Sequence, residues 1–345
     1  MTSPKFNAIR KAALCQHDFI VLVLTPCDRM VDVMNYTLKK KLRDLSKSSS
    51  WLHGIYLFAY LMKNKLQKHI SDENYIKKKF RVYTGKELNI ERPITFNEKN
   101  NWRKLFDRKD IYTQMVDKYG LKKIVAQKVG GEYTFPLLGA WDSPEEIDFD
   151  KLPDQFVLKC NHAGGVIVCR ERAEFNPKKA IKELKYGLKF DYYLASREWP
   201  YKNVPRKIIA EQYMGENLTD YKNYCFNGKL RYTFVWENQS RKDGRKPEAY
   251  FCGAYDCHWN KSEIEVEYPS CDKIIEKPQC YEKMVEVAEE LSKSIPFVRV
   301  DCYIINNHVY VGEMTFFPWG GFMRFKDEKW DYMLGELESL PNATK

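Results

Sequence analysis

The segment that most constrains this chain lies near its C-terminus: Phe297-Val-Arg-Val-Asp-Cys-Tyr-Ile-Ile-Asn-Asn-His-Val-Tyr-Val-Gly-Glu-Met-Thr-Phe316. Residues on a strand alternate sides. Val298, Val300, Cys302 and Ile304 therefore share an apolar face, and Arg299 and Asp301 share the other. On the returning strand Glu313 and Thr315 lie together, opposite Gly312, Met314 and Phe316. A three-residue turn at Asn306-Asn307-His308 pairs Asp301 with Glu313, whereas a two-residue turn sends the two acids to opposite faces unless a bulge intervenes. Like charges facing one another across strands destabilise a sheet. Two readings fit: an ordinary hairpin with surface charges, or two carboxylates that share a cation. Mg²⁺ suits the second, because it takes one or two carboxylates and fills its octahedron with water and substrate phosphates. On that reading the chain handles a nucleotide.

The length of 345 residues allows two or three domains, and a 44% hydrophobic content fits a globular chain. Ten cysteines are scattered without a CxxC pair, and Cys252, Cys257, His258, Cys271 and Cys280 match no standard zinc spacing. The early apolar run Phe19–Leu24 is short and follows Asp18, unlike a secretory signal. The expected setting is a reducing cytoplasm with free thiols.

The net charge of +10 is uneven. Residues 1–70 hold twelve Lys or Arg, Lys39, Lys40, Lys41 and Arg43 among them, against four Asp. Such a run is a solvated face or a contact for an anionic surface. Trp51–Met62 is too short to span a bilayer; followed by Lys63, Lys65 and Lys68, it either packs as a helix or lies at a membrane interface. A peripheral membrane contact through 39–68 is thus one expectation. No nucleic-acid recognition motif accompanies the charge, so no nucleic-acid partner is expected.

Residues 1–70 read as a basic segment of uncertain fold, with Phe19–Leu24 as a strand candidate. Residues 71–132 read as helical: Asp72–Lys79, then Phe96–Phe106 behind the capping-box pattern Thr95-Phe-Asn-Glu98, then Asp110–Tyr119. Residues 133–214 carry strands at Pro136–Trp141, Phe156–Cys160, Val166–Cys169 and Lys207–Met214, with a helix at Pro177–Leu188. Residues 215–340 add a hairpin around Asn227-Gly228, a helix at Tyr281–Lys293 and the acidic hairpin. The class is α+β with mostly antiparallel sheets.

Lys159 interrupts an apolar strand just before Asn161-His-Ala-Gly-Gly165. A lysine so placed needs a negative partner or a route for its head to water. Gly164 and Gly165 let backbone amides approach a phosphate, so lysine and glycine turn together read as a phosphate clamp. Neither GxxxxGK[ST] nor GxGxxG is present. His162 beside the turn is a base, a phosphate-side hydrogen-bond partner or a surface residue. Glu211 interrupts Ile208–Met214, and Asp220 and Lys222 share a face of the next strand.

These pieces stand in an order that resembles the ATP-grasp superfamily, and more closely the TupA-like ATP-grasp family associated with teichuronopeptide and capsular polysaccharide gene clusters. The likeness rests on Pro93-Ile-Thr-Phe-Asn-Glu-Lys99, Asp117-Lys118-Tyr119, Phe135-Pro-Leu-Leu-Gly-Ala-Trp-Asp142, Leu152-Pro-Asp-Gln-Phe-Val-Leu-Lys-Cys-Asn-His162, Arg197-Glu-Trp-Pro-Tyr201, Asp220-Tyr-Lys-Asn-Tyr-Cys-Phe-Asn-Gly228 and Pro296-Phe-Val-Arg-Val-Asp301. It covers about 71–340 and leaves 1–70 outside. The resemblance implies two α+β subdomains clasping ATP between antiparallel sheets. It implies that Lys118, Lys159 and the Gly164-Gly165 turn meet the phosphates, that Glu211 sits at the adenine hinge, and that Asp220 and Lys222 line the ribose and phosphate side. Asp301, Glu313 and Thr315 would hold Mg²⁺, and Arg299 would steady the reacting acyl group. Thr315 stands where many superfamily members have Asn, which weakens a second metal position, and the turn is poorer in glycine than the superfamily's usual form. The implied activity is ATP-dependent amide formation between an anionic carboxylate, such as a uronic-acid polymer or lipid-linked sugar, and an amine. The alternatives are a glycosyltransferase or other sugar-modifying transferase of the same pathway, and a non-catalytic nucleotide-binding module.

Overall fold

A computed structural model describes residues 67–239, 248–271 and 273–341, and three isolated positions, 58, 62 and 65. The Phe19–Leu24 strand, almost all of the Trp51–Met62 run and most of the basic 39–68 stretch lie outside the described residues. The chain forms two compact units, Met1–Lys86 and Glu87–Lys345.

In the first unit a 3-10 turn, Gln67–His69, precedes α1 (Asp72–Thr84). The Ser71 hydroxyl caps it by accepting from the Asn74 amide at 3.3 Å. Gly85 ends it in the left-handed region at φ 72°. The helix runs past the expected end at Lys79, because Phe80–Thr84 contains no breaker.

The second unit opens with α2 (Phe96–Phe106), and the capping box is present as the sequence predicts. The Thr95 hydroxyl accepts from the Glu98 amide at 3.2 Å, and Glu98 accepts from the Thr95 amide at 3.0 Å. The helix expected over Asp110–Tyr119 is instead two, α3 (Asp110–Val116) and α4 (Gly120–Lys128). The break is chemical: Asp117 Oδ1 accepts from the Tyr119 amide at 2.9 Å and from Asn161 Nδ2 at 2.7 Å. An aspartate that bonds its own backbone two residues on replaces the helical hydrogen bond with a turn.

A four-stranded antiparallel sheet follows, with β1 (Leu137–Trp141), β2 (Phe156–Cys160), β3 (Val166–Cys169) and β4 (Ile208–Gln212) in the order β1-β4-β2-β3. Between β3 and β4 run α5 (Pro177–Lys189) and the short α6 (Tyr192–Ser196). Phe156, Leu158 and Cys160 on β2 and Ile208 and Ala210 on β4 form one core with Leu184 of α5. Lys159 lies on the opposite face of its strand.

The larger sheet holds β5 (Thr219–Phe226), β6 (Lys229–Gln239), β7 (Glu248–Asp256), β8 (Lys261–Ser262), β9 (Phe297–Ile305) and β10 (His308–Thr315). Its order is β10-β9-β5-β6-β7-β8, every pairing antiparallel. One face packs against Met115, Ile124 and Val125 of α3 and α4, and against Met284, Val287 and Leu291 of α7 (Tyr281–Ser292). On the other face, Phe226, Phe234 and Phe297 pack with Phe96 of α2 and Leu334 of α8 (Lys329–Glu336).

The β9–β10 hairpin corrects the expected turn. His308 pairs with Ile305 across a two-residue turn, with Asn306 and Asn307 at φ 51° and 59°. The register then shifts between Val311 and Glu313, with Gly312 as the extra residue. Val309 and Val311 before it and Met314 after it all enter the same core. The bulge thus turns Glu313 out of the core and pairs it with Asp301.

Candidate active site

Two charged clusters stand out, one on the larger sheet and one between α4 and the smaller sheet. On the larger sheet, register places Lys222 opposite Asp301 and Glu313 opposite Asp301 on the other side. The carboxylate of Asp301, 2% exposed, accepts from Arg299 Nε at 2.5 Å and from an Arg299 terminal nitrogen at 2.6 Å. Lys222 reaches Asp301 at 3.1 Å and also pairs with Asp220. Arg299 bonds the Thr315 hydroxyl at 3.1 Å and lies 3.5 Å from Glu313. Lys118 closes the group 3.3 Å from Glu313. Three acids and three bases alternate here, so Arg299 and Lys222 relieve the repulsion that two facing acids create.

Burial pushes the Asp301 carboxyl up to about 6 against the pull of Arg299 and Lys222. Burial also works to raise Glu313, but Lys118, Arg299 and Lys222 outweigh it and hold that carboxyl down at about 2. Lys222 stays above the ordinary lysine range: burial disfavours its charge, and Asp220 and Asp301 more than restore it.

The second cluster spans α4 and the smaller sheet. Glu211 sits on the same face as Lys159, one diagonal step away across the β2–β4 pairing. It meets Lys159 at 2.5 Å and Lys122 at 2.7 Å. Burial works to raise Glu211, but Lys159 and Lys122 hold it below its ordinary value. Burial lowers Lys122, which Glu211 partly offsets. The negative partner that Lys159 needs is therefore Glu211.

Asn161 joins the two halves. Its side chain donates to Asp117 and to the Pro205 carbonyl, each at 2.7 Å, and accepts from the Lys207 amide at 2.8 Å. Its carbonyl accepts from the Lys118 amide at 3.1 Å. Lys118 and the strand end that carries Lys159 are thus positioned by one residue. Phe135 adds a second bridge, stacking on Tyr310 at 5.3 Å and meeting Tyr303 edge-on at 5.6 Å.

The Gly164-Gly165 turn stands apart. A Cβ at either position would meet nothing within 4 Å, and Gly165 has φ 107°. His162 is not a surface residue: it is buried, its Nε2 lies 3.1 Å from the Phe190 carbonyl, and burial lowers its pKa.

Mg²⁺ fits this donor set as an ion completed by its substrate. Among the described residues no group of three or more His, Cys, Asp or Glu could form a protein cage. Glu313 is 37% exposed, however, and only loosely paired, 3.3 Å from Lys118 and 3.5 Å from Arg299. Carboxylate oxygen thus remains for a hard cation whose other ligands are water and phosphate.

A family model described as TupA-like ATPgrasp matches residues 98–338. The chain belongs to the TupA-like ATP-grasp family. Its fold is the ATP-grasp fold, with the two sheets as the paired α+β halves. Among solved structures, D-alanine–D-alanine ligase from Bacillus anthracis with ATP is 18% identical, over 58% of this chain and 53% of that one, with TM-score 0.34. L-amino acid ligase from Bacillus licheniformis is 14% identical over 59% and 43%, with TM-score 0.37. N5-carboxyaminoimidazole synthetase from Staphylococcus aureus with ADP is 16% identical over 66% and 53%, with TM-score 0.35. The chain spans about half the length of these structures. No curated protein matches it.

Among the residues implied by the family likeness, Lys118, Asp220, Lys222, Arg299, Asp301, Glu313 and Thr315 come together, and Lys159 joins Glu211 in the neighbouring cluster. Sequence reasoning missed Lys122. Its signal is slight: a lysine bordering the apolar stripe Leu121, Ile124 and Val125. It also missed Gly312 as the bulge and Asn161 as the clasp. No helix among the described residues is long and apolar enough to cross a membrane.

Proposed function

We propose that the protein is an ATP-dependent ligase that joins a carboxylate to an amine through an acyl phosphate. The observation that carries this reading is the bulge-built acid pair Asp301–Glu313, ringed by Lys118, Lys222 and Arg299. Such a face neutralises a triphosphate and holds a phosphoryl group in line, and phosphoryl transfer needs little more from a protein.

In this reading Lys118 and Lys159 take phosphate oxygens, and each gives up a carboxylate partner for them. Glu211 keeps Lys122 charged and holds the adenine edge. Asp220 and Lys222 line the ribose side. Asp301 and Glu313 would hold Mg²⁺, with Thr315 beside them, and the ion supplies charge neutralisation at the transferring phosphoryl group when bound. Arg299, with Asp301 and Thr315 fixing its plane, faces the acyl oxygen that gains charge as the amine attacks. The Phe156–Cys169 hairpin, with Gly164 and Gly165 at its tip, covers the phosphates and excludes water.

We read the donor acid as a uronic-acid residue of a cell-surface or capsular polymer, modified on the cytoplasmic side. The family likeness supports this, and the basic residues 39–68 suit an anionic, lipid-linked partner. The test is a screen of uronic acids and amino acids with MgATP, scored by phosphate release and product mass. ADP and phosphate should appear only when acid and amine are both present. Sugar transfer without ADP would establish the transferase alternative. Binding of MgATP with no turnover for any pair, and full biological function in Asp301→Asn, would establish a non-catalytic module.

A further inference from the structure

One buried acid has no part in the scheme above. Glu198 lies between α6 and the 3-10 turn Trp199–Tyr201, and 2% of it reaches solvent. Its Oε1 is buried and has no hydrogen-bond partner. Buried polar atoms in folded proteins are nearly always paired, because an orphan forfeits its hydration for nothing. A buried oxygen left unpaired in this way is set for a donor from a ligand.

The loop after β10 forms the wall above it. Trp319, Gly320 and Gly321 all take left-handed φ values, 57°, 64° and 77°. A tryptophan held there costs free energy, and such residues cluster at ligand clamps. The nearest non-adjacent atom to the place a Gly320 Cβ would occupy is Glu198 Oε1, at 3.7 Å. A methyl at position 320 would thus lie in van der Waals contact with the orphan oxygen. Lys104, fully buried, donates to the carbonyls of Gly320 and of Ser196 and so ties both walls together. The charges acting on Glu198 are those of Lys104, Arg299 and Glu313, and the turn Pro318–Gly321 that holds Gly320 follows β10, the strand of Glu313 and Thr315.

We propose that Glu198 receives the acceptor amine: its Oε1 takes an N–H of the attacking amino group, and its carboxylate takes the proton that the ammonium must lose. This deepens the ligase reading and rests on it. One ammonium proton passes to Glu198. The freed nitrogen lone pair then forms the C–N bond as the bond from acyl carbon to phosphate oxygen breaks. The electron pair leaves with phosphate, which takes a second N–H proton, and the third stays on the amide. Burial pushes the Glu198 carboxyl up to about 7, so it exchanges protons near neutrality, where a general base works best. The acceptor class is a primary amine, selected by an unpaired anionic oxygen.

The test uses the full chain with Mg²⁺ and a non-hydrolysable ATP analogue, and ethylamine hydrochloride as probe against ethanol as its neutral counterpart. Ligand-observed NMR reads the probe, and calorimetry on the same samples reads nucleotide affinity. The wild type should bind ethylamine and not ethanol, and Glu198→Gln should weaken ethylamine at least tenfold. Gly320→Ala, whose methyl fills the space over Oε1, should do the same and decides the matter if Glu198→Gln does not fold. Unchanged ethylamine affinity in the folded variants would overturn the proposal, as a merely structural partner of Lys104 predicts. A wild type that binds nucleotide but no ethylamine overturns it as well, and leaves the ligase reading standing. Failure to bind nucleotide sinks the ligase reading itself.

Discussion

Gly312→Ala is the sharpest perturbation of this fold, because one methyl tests the device that aims Glu313. A Cβ at Gly312 would lie 2.6 Å from Tyr303 Cε2, 3.3 Å from Tyr303 Cδ2 and 3.6 Å from the Asp301 carbonyl oxygen. Ordinary contact starts near 3.4 Å, so the ring or the bulge must give by about 0.8 Å. Tyr303 is backed by Phe135, which also stacks on Tyr310, so the ring has little freedom to swing. Overpacking of this kind costs about 1–3 kcal/mol. In a unit of this size, about 2 kcal/mol lowers Tm by roughly 4–8 °C. If the bulge yields instead of the ring, Glu313 shifts by a comparable distance, and a misplacement of about 1 Å costs turnover about 10²-fold. The assay pairs calorimetric Tm with phosphate release, in the wild-type and Tyr303→Ala backgrounds. Removing the ring should cut the cost of Gly312→Ala to below about 0.5 kcal/mol, since the two residues then no longer touch. An equal cost in both backgrounds, or a Gly312→Ala protein with native Tm and turnover, would refute the steric argument and with it the role of glycine in the bulge.

Further outcomes follow from the two clusters. Glu313→Gln and Asp301→Asn should each lower turnover by about 10²-fold or more while the fold persists, and unchanged rates in steady-state assays would count against the metal reading. Glu211→Gln leaves Lys122 and Lys159 facing each other inside the protein and should cost about 3–5 kcal/mol in urea unfolding, with Lys159→Met recovering part of that loss in the double variant. Glu313 and Glu211 lie below their ordinary carboxyl values, so the unfolded chain binds more protons in that range. Their stabilisation is complete above the ordinary carboxylate pKa and drains away as pH falls, that of Glu313 toward about 2, so Glu313→Gln should show a shallower acid limb in stability against pH. Asp301 acts in the opposite sense, because its folded value of about 6 favours the protonated native state. Between about pH 4 and 6 stability should fall as pH rises, and a wild type and an Asp301→Asn variant with identical slopes there would contradict this.

Much of this protein is legible along the chain, because some signals are local. The capping box at Thr95 and Glu98 fixes a helix start within four residues, and Asn227-Gly228 fixes a hairpin. The alternation in Val298, Val300 and Cys302 shows which face of β9 enters the core. The order of blocks from Pro93 to Asp301 places the family, and with it most of the charged residues later found together.

Tertiary structure decided the rest. The Asn306-Asn307 pair shows that the chain reverses, but the length of the turn and the position of the bulge depend on which residues β10 must hand to the core shared with α3, α4 and α7. The break at Asp117 required Asn161, forty-four positions away, to hold the carboxylate. Lys122, Lys159 and Glu211 come from one helix and two strands, and no local pattern makes them partners. Local hydrogen bonds and side-chain periodicity are written residue by residue, so the sequence alone determined the elements and the face each one buries. Register and charge pairing depend on the packing of segments far apart in the chain, and only the folded protein settles which acid answers which base.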